Sequence, residues 1–266
     1  MPTARQVADV IESIAPLDSG VRHDELGFVH GRPETPVRGV GCMWNAHTRS
    51  LEQAAARGVN MIICHEALWL PPQTSNWYQG PPGPNIRPNQ MRRALLERHG
   101  MVVYRAHSNW DALPVDGVCD QAVAALGIAG LEMAARQKFF QVSRLSQPMS
   151  VLALKGVVEK ALGFGQCRIF GDPGRMVSRL AVLVGGFGEN QWHMPQAAME
   201  MGAEALVLGE MSEFIVIAAL EMGMSVIESL HSASESPAIR RQAELLSSRL
   251  PGVNVCYVPS GATAFG

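Results

Sequence analysis

Three segments of this chain share one order of parts: a helical stretch, a glycine, then an unbroken apolar run. They are LEQAAARGVNMIIC (51–64), AAMEMGAEALVLG (197–209) and AALEMGMSVIES (218–229). Gly58, Gly202 and Gly223 stand where a helix is expected to end in left-handed backbone. The apolar runs do not alternate with polar residues, so the strands they predict are covered on both faces. Helix and strand in alternation point to an α/β protein with mostly parallel sheets. Further strands are expected at 37–43, 101–105, 179–184 and 253–258. The pattern falls into two α/β halves, 1–128 and 179–266. A connecting segment, 129–178, carries a strand (139–144) and a helix (150–162). PPQTSNWYQGPPGPNIRP (71–88) is dense in proline and glycine and reads as a long surface loop. It is either a lid that offers Trp77 and Tyr78 to a substrate or a tolerated insertion.

Composition narrows the class of function. The 266 residues are 47% hydrophobic and 17% charged, as in a folded globular protein. The net charge is −2 with no basic block, which argues against nucleic-acid binding. No apolar run is long enough to span a bilayer, and the N-terminus lacks the apolar centre of a signal peptide. Five cysteines with no C-x-x-C pair fit reduced thiols and a cytoplasmic location.

Three predicted strands end in the same chemistry. The run 59–64 meets His65 and Glu66. The run 101–105 is followed by His107 and Asp111, and 224–229 by His231 and Glu235. Ligands of open parallel sheets lie outside the carboxyl ends of the strands, so segments far apart in sequence can converge there. Ser236 and Pro237 are expected to open a helix just after Glu235. Imidazole and carboxylate without thiolate suit zinc, iron or manganese. Five or six ligands exceed what one tetrahedral zinc needs and suit two ions. Glu66, Asp111 and Glu235 would set three negative charges against four from two divalent ions. His23, His30, His47, His99 and His193 have no such context.

The motifs resemble those of the Nif-three-like dinuclear-metal proteins, whose members carry the name GTP cyclohydrolase 1 type 2. MIICHEALW, HSNWD and HSASE match that family's ligand motifs in order. VLVGGFGENQW, VLGEMSEF and DELGFVHG match its glycine turn, its Thr-Gly-Asp segment and an early motif. The resemblance implies two similar α/β halves with a metal site in the cleft between them, and a hexameric ring. It implies His65, Glu66, Asp111, His231 and Glu235 as ligands of two divalent ions (Zn, Fe or Mn), with His107 and Glu235 as proton carriers. The implied activity is metal-dependent hydrolysis of a C–N bond in a small, for instance heterocyclic, substrate. A non-catalytic, oligomeric scaffold that binds metal or a partner is the alternative. The chain departs from the family at Glu66, usually histidine, at Glu210 and Phe214, and at Trp44 and Asn45, near which an aspartate is expected. These departures put GTP itself in doubt as the substrate.

Overall fold

Parallel strands need a crossover between them, and helices supply it here. The computed structural model describes residues 1–70, 83–183, 185–188 and 191–265. The chain divides into two compact units, Met1–Trp110 with Ile239–Gly266, and Asp111–Ala238. The first unit opens with helix α1 (Ala4–Ile14), then strands β1 (Gly27–His30) and β2 (Gly39–Met43). Helix α2 (Thr48–Ala56), strand β3 (Met61–Cys64), helix α3 (Arg87–His99), strand β4 (Val102–Arg105) and the short helix α4 (Ser108–Asp111) follow. Strands β2, β3 and β4 are parallel neighbours, with Met43, Cys64 and Arg105 at their carboxyl ends. Strand β1 adds an antiparallel edge beside β4. The expected loop 71–88 yields to helix α3 from Arg87 on; Trp77 and Tyr78 lie outside the described residues.

The second unit contains α5 (Val118–Leu126), β5 (Glu132–Gln137), β6 (Phe140–Ser150), α6 (Val151–Leu162), β7 (Arg168–Phe170) and β8 (Met176–Leu183). It continues with β9 (Gly186–Phe187), α7 (His193–Glu200), β10 (Ala205–Leu208), β11 (Glu210–Met211), α8 (Glu213–Glu221) and β12 (Ser225–Glu228). Six of its strands form one sheet in the order β5-β6-β8-β10-β12-β7. Leu206 and Leu208 enter the core on one face, Ala205 and Val207 the core on the other. Double-sided burial is why β10 reads as a continuous apolar run, each leucine contributing about 1.5–3 kcal/mol. Helix α9 (His231–Arg249) and strand β13 (Asn254–Tyr257) follow, and β13 pairs in parallel with β2 of the first unit's sheet.

The α/β class is as expected, and Gly58, Gly202 and Gly223 all adopt positive φ (74°, 89° and 79°). Three expectations change. The second sheet is mixed: only β8–β10 and β10–β12 are parallel, while β5–β6, β6–β8 and β12–β7 are antiparallel. Segment 129–178 is no connector, because β5, β6, α6 and β7 are built into that unit, and 239–266 returns to the first unit instead of closing the second. Helix α9 begins at His231, not beyond Ser236. Pro237 lies inside it, and Ser236 Oγ donates back to the Ser232 carbonyl at 2.5 Å instead of capping. Among the described residues no helix is long and apolar enough to cross a membrane.

Candidate metal centre

Strand register brings the first two imidazoles together. Cys64 and Arg105 are paired on β3 and β4, so the residues just beyond them emerge side by side. The His65 and His107 rings are 4.8 Å apart between centroids. His65 is buried, and its Nδ1 is 3.1 Å from the Ala106 carbonyl. A neutral imidazole that donates from Nδ1 keeps Nε2 as a lone-pair donor to a metal. Arg105 supports the same residue by donating from Nε to the His65 carbonyl at 3.1 Å.

His107 is held by Asp24, whose Oδ2 lies 2.8 Å from its Nδ1. The same carboxylate accepts from Ser108 Oγ at 2.5 Å, from the Ser108 N–H at 3.2 Å and from Arg105 Nη1 at 2.6 Å. Burial alone would raise the pKa of Asp24. Hydrogen bonds from His107 and Ser108, with the charges of His107 and Arg105, outweigh it and hold the acid well below the usual carboxylate range. A carboxylate behind a histidine fixes its tautomer and orientation. DELGFVHG is visible in the sequence as a motif, but nothing local says that Asp24 reaches a residue 83 positions later.

Asp111 ends α4 and is buried. It counts with the second unit but shares one helical turn with Ser108–Trp110, so its place relative to His107 is set within that turn. His65 and His107 each offer one ligand atom, within 4.8 Å of each other, and Asp111 follows His107 by one helical turn. His107 thus offers a ligand atom of its own beside that of His65. Glu66 follows at a bend. Its N–H donates to the Trp44 carbonyl at 2.7 Å, and the Cys64 thiol donates to the Glu66 carbonyl at 2.9 Å. The bend turns both side chains the same way: ligand atoms of His65 and Glu66 lie within 4.8 Å of each other. Cys64 itself stays a thiol, since burial pushes its pKa up to about 12.

The second unit builds its own cluster on the first turn of α9. His231 and Glu235, four residues apart, share a helix face, with Nε2 and Oε1 3.2 Å apart. Glu235 is buried. His231 Nδ1 faces Glu210 Oε1 at 3.1 Å. With Glu210 holding Nδ1–H, the imidazole can offer Nε2, beside the Glu235 carboxylate, to a metal. Glu210, where the resemblance has an aspartate, is therefore a carboxylate that can orient this histidine. The glycine turn makes the room. A Cβ on Gly185 would lie 2.3 Å from Glu235 Oε1 and 2.4 Å from His231 Nε2, and one on Gly209 would lie 2.6 Å from His231 Cα. GGFG is thus a close-packing turn against His231 and Glu235. Phe214 is 74% exposed on α8. His47, set aside in the sequence, caps α2 by accepting the Ser50 N–H on Nδ1 at 3.1 Å.

Comparison with known proteins agrees with this reading of the motifs. Residues 2–262 match the family model described as Duf34/NIF3 (NGG1p interacting factor 3). A Clostridium perfringens protein named GTP cyclohydrolase 1 type 2 homolog is 24% identical over 252 residues, covering 92% of this chain and 91% of that one. A protein of the same name from Neisseria meningitidis serogroup B is 29% identical over 215 residues, 80% of each. The crystal structure of a Bacillus cereus protein related to NIF3 superimposes with a TM-score of 0.80 at 16% identity, covering 96% of both chains, a likeness of fold. With motifs, fold and nearly the whole length in agreement, the chain belongs to the Duf34/NIF3 family.

Proposed function

We propose that this protein is a metal-dependent hydrolase acting on a C–N bond of a small substrate, heterocyclic rings included. Two divalent ions, zinc, iron or manganese, would be held by His65, Glu66, Asp111, His231 and Glu235. The observation that carries this reading is the strand-end group itself. Two imidazoles are oriented from behind, one by a backbone carbonyl and one by a carboxylate, and buried Asp111 follows the second by one helical turn. Preorganised donors of this kind fit a bound cation better than a set of strand caps. When bound, such ions lower the pKa of water and polarise a carbonyl or ring carbon for attack. The chain's own part is to hold geometry and move protons. His107, steadied at Nδ1 by Asp24, presents Nε2 as ligand or proton carrier. Glu235 would take or return a proton, a role supported by its position 3.2 Å from His231 Nε2.

The test is metal content per chain, purified without chelator or nickel resin, with turnover of GTP and other ring substrates on the same samples. The expected result is two equivalents of metal and hydrolysis abolished in Asp111→Asn. Metal without turnover on any substrate would favour the scaffold reading, and no metal would remove the basis of both.

A further inference from the structure

Beside His231 the second unit has a cavity of about 460 Å³, bordered by Arg168, Phe187, Glu210, Met211 and Ser212. That size takes a small molecule. One wall carries a cation paired to a buried acid. Arg168 and Glu228 are direct cross-strand partners on β7 and β12. Glu228 is buried, and Arg168 Nη2 donates to its Oε2. The other oxygen, Oε1, accepts the Met211 N–H at 2.7 Å. The guanidinium also lies 5.4 Å from the centroid of the Phe170 ring, two residues along the same strand. These two contacts restrict the side chain before any ligand arrives.

Neutralising Glu228 takes only part of what Arg168 offers. A guanidinium has five N–H groups. Among the described residues its hydrogen bond is to Glu228, and its side chain remains 67% exposed. A second donor borders the same space. Ser212 Oγ is buried with no hydrogen-bond partner among the described residues, and it does not cap helix α8, which starts at the next residue. Glu210 is an acid on the cavity's border, and its Oε1 is engaged by His231.

We propose that Arg168 anchors an oxyanion group of the substrate, phosphate or carboxylate, in this cavity, with Ser212 as a second donor. The substrate class is then a small organic anion whose other end reaches the ligand pair His231–Glu235. This rests on the hydrolase reading, and its test is arranged to fail separately.

Binding of inorganic phosphate and of malonate is titrated calorimetrically, on the protein as purified and again after chelation. Chelated protein has no metal to ligate phosphate, so binding there reports the arginine, while metal content of the purified samples tests the other reading independently. The expectation is saturable millimolar binding that survives chelation. Arg168→Ala should weaken it by roughly 10- to 100-fold, the loss of a charge-assisted pair, and Arg168→Lys by less, since lysine keeps the charge but not the fork. Arg168→Ala/Glu228→Gln, which leaves no buried charge alone, should lose binding while keeping its fold. Phosphate binding alone would identify a phosphate group, malonate binding alone a carboxylate. No saturable binding of either anion, or equal binding in wild type and the double variant, would overturn the proposal.

Discussion

Replacing Gly185 by alanine tests whether the glycine turn exists to seat the ligand pair. The backbone there has φ +49°, and the added Cβ would sit 2.3 Å from Glu235 Oε1 and 2.4 Å from His231 Nε2. Gly223→Ala is the control in the same unit: φ is +79° and nothing lies within 4 Å of its Cβ. Both variants bear the left-handed backbone cost of about 1–2 kcal/mol. Only Gly185→Ala adds an overlap, which as overpacking costs about 1–3 kcal/mol more. The groups in the way are side chains, so part of the overlap can be relieved by displacing His231 and Glu235. In that case the loss shows as weakened metal binding instead. The assay is denaturant unfolding of metal-free protein, since bound metal would add its own stabilisation, followed by metal titration. Gly185→Ala should unfold earlier than Gly223→Ala, bind metal at least about tenfold more weakly, or both. Equal midpoints with metal affinity unchanged would refute the argument that the turn is shaped around the pair.

Asp24→Asn should destabilise metal-free protein by about 2–4 kcal/mol at pH 7, because buried Arg105 loses its charged partner. Asp24 titrates below its unfolded value of about 4, so its stabilisation is present above that pH and lost on acidification. The gap between wild type and variant should accordingly narrow below about pH 4 in urea melts, and a gap independent of pH would refute it. Glu66→Gln keeps the shape and removes one charge; occupancy of one metal should fall by elemental analysis, and Glu66→His should restore it with altered metal preference. Both metals retained in Glu66→Gln would make Glu66 an ordinary carboxylate at a bend. The family resemblance implies a hexamer, which light scattering checks; the mass of a single chain would exclude it.

What the chain determined locally was legible in one dimension. Helix, glycine and apolar run specify buried parallel strands, and strand ends are where sheets present side chains, so His65, His107 and Asp111 could be named together from their positions alone. The i, i+4 spacing of His231 and Glu235 was equally plain, although Pro237 masked the true start of α9. Proline reads as a first-turn residue, and only packing shows a helix carrying one in its seventh position. The edge strands were missed because β7 has three residues and β5 is largely exposed, leaving little apolar pattern to read. Long-range pairing was invisible for a different reason. That Asp24 holds His107, that Glu210 faces His231, that Glu228 fixes Arg168, and that β13 returns to β2 are facts of register and chain return. Each brings together residues between 21 and 215 positions apart. Periodicity reports which face a residue occupies, not which distant residue shares it; that was decided when the strands paired and the sheets closed on their cores.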